Sequence, residues 1–91
     1  MEKIEKLHSM EKMLRELDDI ENSQISLLKK VSQLEAENIN LGIGLLEKQL
    51  PEIHSKADET LTIAKKLKET FTELKDNFIK DNKLDEVTTV A

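Results

Sequence analysis

Two histidines, two acidic clusters and one pair of glycines are the places in this 91-residue chain where reactive chemistry would have to sit. His8 has Glu5 and Glu11 nearby, and His54 has Asp58 four residues on, which a helix brings to the same face. One imidazole beside a carboxylate is half of a metal site, and neither histidine has a second at helical spacing. Both read as solvated flanks. Neither is matched by a serine nucleophile with an orienting acid, so nucleophilic catalysis has no support. Asp18-Asp19-Glu21 and Asp58-Glu59 lack the spacing and central glycine of a calcium loop. Gly42-Ile43-Gly44 lacks the third glycine and the preceding strand of a phosphate-cradling turn. With no cysteine anywhere, disulfides, thiolate metal sites and cysteine nucleophiles are excluded. The expectation is a non-enzymatic chain with no catalytic residue, no metal ligands and no cofactor.

What remains is surface that recognises other surface. Charged residues make up 36% of the chain and aromatics 2%, with two Gly and one Pro. That composition suits helices whose aliphatic stripes pack together while Lys and Glu face water. Residues 1–41 carry six basic and nine acidic side chains and residues 42–80 seven of each, against a net charge of −5. No segment is basic, so the footprint of a phosphate-backbone binder or of an anionic-membrane binder is missing. No apolar run approaches a membrane span, and Met-Glu-Lys-Ile leads into no apolar signal segment. The expected partners exclude nucleic acid and membrane, and the expected location is the cytoplasm, or the nucleus in a eukaryote.

Periodicity supplies the architecture. From Met10 to Leu41 the residues Met10, Met13, Leu17, Ile20, Gln24, Leu27, Val31, Leu34, Asn38 and Leu41 alternate spacings of three and four. The mean of 3.5 keeps one stripe of a helix facing a partner helix. With Met10 as heptad position a, the d column is Met13, Ile20, Leu27, Leu34 and Leu41. The e column adds Leu7, Leu14 and Leu28 and widens the stripe to what a bundle requires. A second stripe runs through Leu50, Ile53, Ala57, Thr60, Ala64, Leu67, Phe71, Leu74 and Phe78, flanked by Leu61 and Ile63. Gln24 and Asn38 interrupt the first stripe. For mid-helix Gln24 the expected role is to fix register or partner, because mispairing leaves its amide without a hydrogen bond; for Asn38, near the break, simple tolerance is the equal alternative.

Between the stripes the heptad phase jumps, and Gly42, Gly44 and Pro51 fall in the same window. Glycine inside a helix costs about 1 kcal/mol against alanine, and proline removes a backbone donor. The sequence therefore predicts an all-α fold: an antiparallel two-helix coiled-coil hairpin over residues 1–80, associating into a four-helix-type bundle. Helix 1 spans about 2–41, the turn lies within 42–51, helix 2 spans about 52–80, and 81–91 form a polar, disordered tail. Folding back pairs residues whose numbers add to 91, or to 98 if the turn lies nearer Pro51. Functionally this reads as a scaffold or assembly subunit that buries its a, d and e columns against itself or another helical protein. The alternative is a small chaperone or inhibitor sheltering an amphipathic helix of a client.

Overall fold

The computed structural model describes residues 2–84, and these form two long helices folded back on each other. Helix α1 spans Lys3–Leu41 and α2 spans Gly44–Asp81. A 39-residue helix is close to 60 Å long at 1.5 Å per residue, and the molecule measures 63 × 20 × 19 Å. The fold is thus an all-α hairpin with one packing layer.

The turn occupies only Gly42 and Ile43. Gly42 closes α1 in the left-handed region (φ 63°, ψ 34°) and donates its N–H to the Asn38 carbonyl at 2.7 Å. Ile43 is extended and serves as the N-cap residue of α2, its carbonyl accepting the Glu47 N–H at 3.1 Å. A Cβ added at either glycine would meet nothing within 4 Å, so backbone conformation alone decides the effect of substitution. Gly42→Ala forces an L-residue into the left-handed region and should cost about 1 kcal/mol. Gly44→Ala removes a flexible residue from the first turn of a helix and should stabilise by about 0.5 kcal/mol. Melting temperatures of the two variants, measured at one protein concentration, should move in opposite directions.

The start of helix 2 differs from the sequence expectation. The helix begins at Gly44 and not near 52, and Pro51 lies inside it. Reversal is complete once Gly42 and Ile43 have turned the chain, so nothing further is needed from the proline. Pro51 is exposed and is carried within the helix. The pairing register differs as well. Asp18 and Glu21 meet Lys68, Glu35 meets His54, and Lys6 lies over Phe78. These pairs add to between 84 and 89, below the expected 91 and well below 98, because the turn is shorter and earlier.

At the open end α2 stops at Asp81, where the Asn82 N–H and side-chain amide both donate to the Phe78 carbonyl, at 3.2 and 2.9 Å. Lys83 takes a positive φ of 55°, and Leu84 is buried. The expected tail therefore does not begin at 81, since an asparagine cap holds the chain against the helix end. Residues 85–91, the remainder of that expected tail, lie outside the described residues.

Candidate functional site

Three columns of each helix are candidates to face the other helix, and the structure selects two of them. In α1 the a and e columns are buried or half-buried, Leu7, Met10, Leu14, Leu17, Gln24, Leu28, Val31 and Asn38 among them, with Ile4, Asp18 and Ile25 of the b column half-buried beside them. In α2, with Leu50 as position a, they include the a column Leu50, Ala57, Ala64, Phe71 and Phe78 and, from the e column, His54, Leu61 and Lys68. The d column is left outside. Met13, Ile20, Leu27 and Leu34 remain exposed on α1, as do Leu67 and Leu74 on α2. Ile63 is exposed too. This corrects the expected a/d packing, in which the e-column leucines were to be left for other chains.

This packing brings opposite charges together across the helices, from the e columns and from Asp18 beside them in α1. Lys68 Nζ contacts Asp18 Oδ1 at 2.6 Å and Glu21 Oε2 at 3.3 Å. His54 Nδ1 lies 3.2 Å from Glu35 Oε1, close enough for its N–H to donate to the carboxylate. Sequence spacing had matched His54 with Asp58, whereas the structure gives it a partner from the other helix. Packing a and e together joins these groups and buries Leu7, the most enclosed of the e-column leucines. Ala57 and Ala64 let the helices approach closely, and Lys6 places its ammonium 5.2 Å above the Phe78 ring.

The Asp18 carboxylate first, and the Glu21 carboxylate second, hold the Lys68 ammonium above its ordinary value of 10.5. A lysine whose folded value is raised adds stability that is fully present below its unfolded value and fades as pH rises through the folded one. In thermal melts at alkaline pH, the parent protein should therefore lose stability more steeply than Lys68→Met. Both should respond alike near neutrality, apart from a constant offset.

Because the helices run antiparallel, the two d columns fall on the same side of the hairpin. A shallow groove on that side is lined by Gln24 and Leu27 from α1 and by Ile53, Ala57 and Thr60 from α2, among others. The opposite side holds the Lys68 and His54 pairs, and a second recess there is lined by Lys65, Lys68, Thr72 and three glutamates. The hairpin thus has one charged side that fixes its register and one apolar side left open. Ile20 is 46% exposed and Leu67 is 49% exposed, each half packed on its own hairpin and half facing out.

Asn38 has a different position from the one expected of a polar residue in the stripe. It is 4% exposed, and its side-chain amide forms two hydrogen bonds with Ile43: Nδ2 donates to the Ile43 carbonyl at 3.1 Å, and the Ile43 N–H donates to Oδ1 at 3.0 Å. It is a clasp for the turn. Gln24 is half-buried at the groove.

Sequence reasoning missed Asp18, Glu21, Glu35, His54 and Lys68 as cross-helix partners. Their signal was present as opposite charges, Glu21 and Glu35 in the e column of α1 with Asp18 beside them in the b column, legible only once the register is known. Among the described residues no group of three or more His, Asp or Glu is arranged to hold a metal ion, and no helix is long and apolar enough to cross a membrane.

No curated protein and no solved structure matches the chain. One protein family does match, over residues 1–81, which takes in α1, the turn and α2. With nearly the whole hairpin covered, the chain belongs to the family described as Nucleotide-Binding Domain 94 of RH, NBD94.

Proposed function

We propose that the chain is a non-enzymatic helix-docking module, braced by charge on one side and offering its apolar side to other helices. The observation that carries this reading is the uncovered ladder from Met13 to Leu41 on α1 and from Ile53 to Leu74 on α2. Eight of its side chains are large, apolar and exposed. At 1.5 Å per residue the α1 part alone is about 42 Å long. Across a 20 Å hairpin width the face that holds the ladder, polar rim included, is on the order of 800 Å². In this reading the module joins an assembly. Sheltering a client's amphipathic helix is the same chemistry with a transient occupant.

Amide chemical shifts test it, followed while a model amphipathic helix is added. The expected changes track the d columns and the groove at Leu27 and Ala57. Changes centred on Lys68 and His54, with the d columns silent, overturn the reading. Gln24 gives a second measure. If its amide selects partners at the edge of the groove, Gln24→Leu should raise the melting temperature while admitting helices that the parent rejects.

The family description favours a second reading, nucleotide binding. Its support in the structure is the recess of about 430 Å³ on the charged side, where Lys65, Lys68 and Thr72 supply ammonium and hydroxyl groups of the kind that hold phosphate. Glu21, Glu69 and Glu73 line the same recess and repel a polyphosphate, so a divalent cation between them is part of this reading. Calorimetric titration with ATP and magnesium separates the two. Saturable binding that Lys65→Ala and Lys68→Ala abolish favours nucleotide binding, and none is expected of a module that acts through its apolar side alone.

A further inference from the structure

Resting on the docking reading, we infer that the occupant of the open apolar face is a second copy of this chain. The two copies lie face to face with their turns at the same end, α1 of each over α2 of the other.

Area is the first argument. A face on the order of 800 Å² per chain equals what each partner of a standard stable interface buries. A single docked helix, at about 10 Å diameter, would cover roughly half the width of the hairpin and leave the rest wet. Another hairpin of the same dimensions covers all of it.

Charge is the second. Every d-column position of the ladder from Met13 to Leu41 and from Ile53 to Leu74 is uncharged. The outer rim carries Glu16, Lys30 and Glu37 on α1 and Glu52 and Lys56 on α2, three acidic and two basic. A rim of mixed sign, close to balanced, neither strongly repels its own copy nor selects a strongly acidic or basic partner.

Shape decides the arrangement. The one small polar member of the ladder is Thr60, at the level of Leu27 in the same groove. With turns together, Leu27 of each copy lies over Thr60 of the other, large on small, and Ile20 lies over Leu67. With turns opposed, Leu27 would meet Leu27 and Thr60 would meet Thr60, one contact crowded and the other empty. Interdigitation prefers the first. Ile63, 60% exposed, stands one turn from Thr60 and fills the flank of that layer.

Sedimentation equilibrium of the whole chain over roughly 1–100 μM, the range where a standard interface is populated, should give the mass of a dimer. Ile20→Asp with Leu67→Asp should weaken the dimer by at least about 100-fold. Far-UV circular dichroism checks that the hairpin survives, and Ile20→Ala with Leu67→Ala gives a milder version with the same direction. Since the chain has no cysteine, oxidising a mixture of Leu27→Cys and Thr60→Cys chains should yield the mixed disulfide. A Leu27→Cys disulfide with itself in preference overturns the arrangement. A parent chain that stays monomeric, or forms trimers or larger species, overturns self-pairing. If that monomer still binds an added amphipathic helix through the ladder, the docking reading stands without it; if it does not, both fall.

Discussion

Asn38→Leu should lower the melting temperature by roughly 10–15 °C. The asparagine amide pairs with both backbone groups of Ile43, as one peptide group pairs with another across a strand. Two such bonds contribute about 1 kcal/mol each. Ile43 is exposed, and that figure is already net of the hydrogen bonds water returns to its freed groups, so a cost of about 2 kcal/mol is expected. Leucine also has to enter a site shaped for a planar amide. Asn38→Asp keeps an acceptor for the Ile43 N–H and loses the donor to the carbonyl. Its second carboxylate oxygen also faces the Ile43 carbonyl in a buried site, so at neutral pH it should melt no higher than Asn38→Leu. Melts at matched concentration check this, since association shifts apparent stability. Equal stability of parent and Asn38→Leu would remove the clasp.

Pro51→Ala should act in the opposite direction and stabilise by about 2 kcal/mol. Proline in a helix interior is about 3 kcal/mol worse than alanine, and part of that, about 0.5–1 kcal/mol, is returned because proline restricts the unfolded chain. Pro51 is the eighth residue of α2, past the first turn where proline is harmless. Its missing N–H cannot serve the Glu47 carbonyl, and alanine restores that bond. Because Pro51 is exposed, little packing is lost in exchange. Hydrogen exchange adds a second readout: amides from Leu46 to Gln49 should become better protected in Pro51→Ala. A melting temperature that falls would mean the proline ring itself supports the hairpin.

The hairpin was legible in the sequence because alternation of three and four survives through Gln24 and Asn38, and because Gly42 interrupts it. The choice of packed columns was not. The residues 7, 10, 14, 17, 21, 24, 28, 31, 35 and 38 alternate three and four just as regularly as the a/d set. Reading by hydrophobicity alone favours d, since Glu21 and Glu35 spoil e. Those two glutamates find partners in Lys68 and His54, 47 and 19 residues further along, and a local pattern does not contain them. Pro51 misled for a related reason. Its cost is local and real, but the packing of Leu50 and Ala57 against α1 carries the helix through it.

The pairs that hold the hairpin are stacked along its length, and both helices end on the same side, where Lys6 meets Phe78. A pull applied at that end meets those pairs in series and not all at once. The Lys6–Phe78 contact yields first, then Lys68 with Asp18 and Glu21, then His54 with Glu35, and the Asn38 clasp last. Such a molecule peels at low force, layer by layer. The same molecule pulled from its turn against its open end is loaded along both helix axes, so the backbone hydrogen bonds carry the force and the cross-helix pairs are not pulled apart.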